Sequence, residues 1–168
     1  MKKRILALLI AALMALGALA CAEGAVKPTI RTATYLNGGT IPTVTMEYTD
    51  PENREWIEVY LLKAGESEPN MGVIEVNGEK YSVVGIQTVD PNDPGAYKKQ
   101  DDGAVSLTTD IYFGDCDLPV VGEELFLTVG LTGEDGEEAL GELIPITIPE
   151  DGEAFTNAPV AIEAADGE

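Results

Sequence analysis

Met71-Gly72-Val73-Ile74-Glu75-Val76-Asn77-Gly78-Glu79-Lys80-Tyr81-Ser82-Val83-Val84 is the stretch on which the fold turns. Asn77-Gly78 supplies the two positive φ angles that a two-residue type I′ turn demands. With that pair at the tip, Glu75 falls opposite Lys80 and Ile74 opposite Tyr81. Opposite charges then pair on one face and apolar groups on the other. The sequence therefore predicts an antiparallel hairpin here, in one register.

The same period of two extends in both directions. Upstream, Glu55 to Lys63 sorts into Ile57, Val59 and Leu61 on one face and Trp56, Glu58, Tyr60 and Leu62 on the other. The aliphatic face is the expected core. Before it, Thr40 to Thr49 sets Val44, Met46 and Tyr48 against Thr43, Thr45 and Glu47, and Thr29 to Tyr35 reads as an edge strand with Ile30, Thr32 and Thr34 on one face. Downstream, Val105, Leu107, Thr109, Ile111 and Phe113 share a face, as do Leu125, Leu127, Val129 and Leu131. A last strand, Leu140 to Ile148, turns Ile144, Ile146 and Ile148 inward. Pro145 cannot donate to a ladder, so this strand is expected at an edge or with a bulge. Gly133 to Gly136 forms the hairpin loop before it.

Seven or eight short strands, with turn chemistry between them and no helical period outside the N-terminal leader, predict an all-β chain. The expected architecture is an antiparallel β-sandwich of the immunoglobulin or fibronectin type. The likeness is one of pattern, since the chain lacks a Cys-Trp-Cys framework. The sandwich is expected over residues 26–149. Beyond it, residues 150–168 carry acids among small residues and read as a disordered acidic tail.

The N-terminus reads as an export signal. Lys2, Lys3 and Arg4 precede an uncharged run from Ile5 to Ala22 that ends on small residues. Cleavage after Ala22 satisfies the small-x-small pattern with Ala20 and Ala22. A lipoprotein leader ending before Cys21 is the alternative, with Cys21 as the acyl acceptor. An uncleaved anchor is the third, because the run lies at the lower limit of about 17–25 residues for a span. The expected location is extracellular, or membrane-anchored if Cys21 is acylated.

Composition limits what such a protein can do. The chain has 30 acids, 10 bases and no histidine. Residues 1–22 hold three of the bases and none of the acids, so the formal charge of −20 becomes −23 without them. That charge excludes nucleic acid and disfavours anionic membrane surfaces as partners. Without histidine there is no Ser-His or Cys-His catalysis and no histidine-bound zinc. Cys116 is the one cysteine left after residue 22, between Asp115 and Asp117, whose charge is expected to raise its thiol pKa. Carboxylate-pair chemistry survives, but among thirty acids it has almost no specificity.

Two local features carry ligand hypotheses. Trp56 and Tyr60, on one face of their strand, form an expected flat surface for stacking on a sugar ring. Thr88 to Gly103 reads as a long loop whose Asp90, Asn92, Asp93, Asp101 and Asp102 are hard oxygen ligands of the kind calcium uses, though without EF-hand spacing. By elimination, the expected function is that of a non-enzymatic binding or structural module whose partner is a protein or a polysaccharide at the cell surface. Carbohydrate binding through Trp56 and Tyr60 is the alternative.

Overall fold

Asn77 and Gly78 take φ values of +54° and +83° in a computed structural model that describes residues 26–157. The hairpin closes in the expected register, Glu75 opposite Lys80 and Ile74 opposite Tyr81. Its arms are β4 (Val73–Val76) and β5 (Glu79–Val89). The expected leader, with Cys21, lies outside the described residues.

Eleven strands make up two antiparallel sheets, and no helix occurs among the described residues. The first sheet has the order β11-β1-β2-β7-β6, formed by β1 (Thr29–Leu36), β2 (Thr43–Thr49), β6 (Tyr97–Lys99), β7 (Ala104–Asp110) and β11 (Ala154–Asn157). The second has the order β10-β8-β3-β5-β4, with β3 (Trp56–Ala64), β8 (Glu124–Thr132), β10 (Ile144–Thr147), and β9 (Glu138–Leu140) pairing β8 beside β10.

One apolar core joins the sheets in a sandwich-like arrangement. Val44, Met46 and Tyr48 from the first sheet meet Ile57, Val59, Leu61, Leu125, Leu127, Val129 and Leu131 from the second. These are the inward faces expected from alternation, and Ile144, Ile146 and Ile148 join them. Burying each such side chain stabilises by about 1.5–3 kcal/mol before entropy is counted.

Several expectations are corrected. Strand β1 is not an edge: β11 pairs it through Ala33–Asn157 to Leu36–Ala154, so order continues past residue 149 into the segment expected as tail. A register shift between Ile30 and Thr32 also turns Ala33 and Tyr35 inward, leaving Thr32 and Thr34 outside. The loop expected over 88–103 is interrupted, because β5 runs to Val89 and β6 pairs β7. The strand expected from Val105 to Phe113 ends at Asp110. There the chain crosses between sheets, and Tyr112 bridges to Ile86 of β5. The strand expected over 140–148 is split into β9 and β10, the latter at the sheet edge with Pro145 exposed, as its missing donor requires.

A second cluster covers the outer face of the second sheet. Tyr60, Leu62, Ile74, Tyr81, Val83 and Leu140 are buried together, and Tyr81 meets Phe126 edge to face at 5.5 Å. Gly130 makes room for Tyr60, because a Cβ there would lie 2.6 Å from the ring. Gly130→Ala is therefore expected to destabilise by about 1–3 kcal/mol through overpacking, read as a lower urea midpoint. The loss should shrink in a Tyr60→Leu background; an equal loss in both would show that the ring is not what the methyl meets.

Candidate functional site

Trp56 and Tyr60 do not form the flat pair that alternation suggested. Trp56 is 44% exposed at the start of β3, whereas Tyr60 is 5% exposed beneath the second cluster, its hydroxyl donating to Glu58. Burial first, then the Glu58 carboxylate, pushes the Tyr60 phenol far above its ordinary value. Beside Trp56 on that face stand Glu58 and, across β8, Glu138. Burial, with Glu58 as a lesser cause, raises the Glu138 carboxyl.

Four of the five expected calcium ligands are engaged in turns and an ion pair. Asp90 accepts from the amide and side chain of Asn92 at 2.8 and 3.1 Å, and Asp93 from the Gly95 amide at 2.8 Å. Asp102 accepts from Arg31 at 2.7 Å and the Ala104 amide at 3.0 Å, which in that order hold its carboxyl below the usual range. Asp101 is exposed in the turn between β6 and β7. Among the described residues, no three His, Cys, Asp or Glu side chains are grouped to hold a metal.

A different place concentrates exposed apolar surface. Eight large apolar side chains are exposed among the described residues, and five of them, Ile41, Tyr112, Leu118, Val120 and Val121, lie at one end of the sandwich. The segment that puts them there is the 111–123 connector between β7 and β8. It leaves the first sheet at Ile111, whose amide donates to Pro42 O at 3.0 Å, and turns at Cys116, whose amide donates to Phe113 O at 2.9 Å.

Glu123 organises the connector's far end. Its carboxylate accepts from Lys63 at 2.7 Å and from the Val120 amide at 3.0 Å, which closes the turn and turns Val120, 69% exposed, toward solvent. Burial is the largest single influence on Glu123 and pushes its carboxyl upward, but those two bonds outweigh it and leave the group below its usual range.

Two grooves flank this connector. One, of about 470 Å³, is lined by Ile41, Ile111, Tyr112 and Phe113; the other, of about 450 Å³, by Val84, Leu125, Val120 and Val121. Cys116 and Leu118 line both. These volumes fall within the roughly 300–1,000 Å³ of small-ligand sites. The Cys116 thiol is raised by burial first, then by Asp115, Asp117 and Glu68, which makes it a poor nucleophile. The sequence offered a signal for this end: Leu118-Pro119-Val120-Val121-Gly122 is an apolar run bracketed by turn residues, and apolar side chains in a loop with no alternation have no sheet face to enter.

Neither a protein-family model, nor a curated protein, nor a solved structure matches this chain.

Proposed function

We propose that this chain is an exported, non-enzymatic contact module that binds a macromolecular partner through the apolar end built by the 111–123 connector. The observation that carries the proposal is the gathering of Ile41, Tyr112, Leu118, Val120 and Val121 beside two grooves. Solvated apolar area of this kind, ringed by polar groups, marks interaction sites. Export rests on the basic, apolar and small-residue parts of residues 1–22.

The finer fold type belongs to the same proposal. The order β1-β2-β7-β6 opposite β10-β8-β3 parallels the A-B-E-D and G-F-C sheets of an immunoglobulin-type sandwich, with β4, β5, β9 and β11 as additions.

A photo-crosslinking residue in place of Val120, compared with one in place of Glu134 at the opposite end, tests the contact reading in the native host. A discrete adduct from position 120 and none from 134 is expected. Equal labelling from both, or none from either, counts against it. The intact mass of the mature protein from medium and membrane fractions tests export: a chain beginning at Glu23 means free secretion, and an acylated chain beginning at Cys21 means a tether.

A second reading, carbohydrate recognition, is favoured by exposed Trp56 beside the carboxylates of Glu58 and Glu138. Aromatic stacking plus hydroxyl acceptors is the chemistry a sugar uses. Affinity electrophoresis in a panel of polysaccharides is expected to show retardation that Trp56→Ala abolishes. Unchanged mobility throughout removes this reading.

A further inference from the structure

We infer that the partner segment taken by the apolar end is cationic: a polypeptide stretch that places apolar side chains in the two grooves and Lys or Arg side chains on their rim. The inference rests on the contact reading above and adds the chemistry of the partner. Its ground is the charge around the grooves. Among the described residues, four carboxylates line them, Glu68, Asp110, Asp117 and Glu123, against a single base, Lys63, which Glu123 already engages at 2.7 Å. Asp115 stands beside Cys116 as a further negative charge.

Glu68, Asp110 and Asp117 are exposed and form no ion pair among the described residues, so their potential projects into solvent. A low-dielectric apolar floor beneath like charges focuses that potential and draws in the opposite sign. A second copy of this chain is the wrong occupant, because it brings the same rim on a body of net charge −20. An anionic lipid surface fails on the same sign. The ridge of Cys116 and Leu118 between the grooves sets the shape: one apolar anchor enters on each side, and the intervening residues cross it.

The test uses the whole mature chain and three fluorescein-labelled peptides, alternating lysine with leucine, glutamate with leucine, and lysine with serine, plus a neutral one alternating serine with leucine. Fluorescence anisotropy at low salt is expected to show binding of the lysine–leucine peptide alone. Tyr112→Ser with Val120→Ser, both at exposed positions, should weaken it about tenfold without shifting the melting temperature. Glu68→Gln with Asp117→Asn should weaken it by a similar factor and flatten its salt dependence.

Equal binding of the lysine–serine peptide reduces the effect to bulk charge and overturns the inference. Equal binding of the neutral peptide, lost in the Tyr112→Ser, Val120→Ser protein, overturns it too while leaving the contact reading in place. So does self-association by sedimentation that the same two substitutions abolish. Absence of any binding, together with no adduct from position 120, overturns both.

Discussion

Replacing Arg54 with methionine is expected to remove about 3–5 kcal/mol of stability, a large fraction of the total for a domain of this size. The guanidinium is 2% exposed and lies between Asp50 Oδ1 at 3.3 Å and Glu52 Oε2 at 2.7 Å, while Nη2 also donates to Val26 O. Asp50 is 5% exposed and accepts from the Arg54 amide at 2.7 Å. Loss of the cation strands that carboxylate in a dry site, where an uncompensated charge is far more expensive than the pair was worth. Nη1 is buried with no partner among the described residues, so the arrangement already carries an unmet donor. Asp50→Asn combined with Arg54→Met should therefore be less destabilised than the sum of the single changes by at least about 1 kcal/mol. Urea denaturation of the four proteins measures this. A loss below about 1 kcal/mol for Arg54→Met would mean that water reaches the pair.

Cooperative unfolding at alkaline pH is the second large effect. Burial pushes the Tyr35 phenol up to about 12, with Glu123 a lesser cause. Tyr48 is raised further by burial, then by Tyr97 and Asp50, and Tyr60 further still. These groups keep their protons in the folded chain and release them near pH 10 when unfolded. Their contribution is fully present below pH 10 and is lost as pH rises from there through the folded values. Three such groups give a slope of about 4 kcal/mol per pH unit. Absorbance at 295 nm should therefore rise in step with loss of the β circular-dichroism signal, in one steep transition. Ionisation of all six tyrosines with the β signal intact would refute it.

Alternation made the core legible because the face a strand turns toward the opposite sheet takes every other residue, as Val44, Met46 and Tyr48 of β2 and Leu125, Leu127, Val129 and Leu131 of β8 do. The hairpin was legible to the register because Asn77-Gly78 fixes both turn geometry and pairing. Tyr60 was not. A period of two separates the faces of β3 but does not say whether the far face is covered, and here Leu62, Ile74, Tyr81, Val83 and Leu140 pack together with Tyr60 on it. Strands β6 and β11 escaped because three or four residues, with neither a hairpin tip nor a longer alternating run beside them, are too few to show a period, and β9 met the expected strand only at Leu140. The grooves escaped for a related reason. Their walls come from residues 41, 63, 84 and 112–121, which only the crossing of the chain between sheets brings together.

Strand direction gives the molecule a polarity. Strand β1 begins beside the Arg54 clamp and runs to the grooved end, while β11 starts opposite Leu36 and heads back, reaching Ala33 at Asn157. Entry and exit of the described chain thus both point away from the grooves. Eight residues of β1 span about 26 Å at 3.3 Å each. Held to a membrane by its N-terminus, the sandwich would stand on its Arg54 end like a post, with the hydrophobic tip lifted by that height and facing outward.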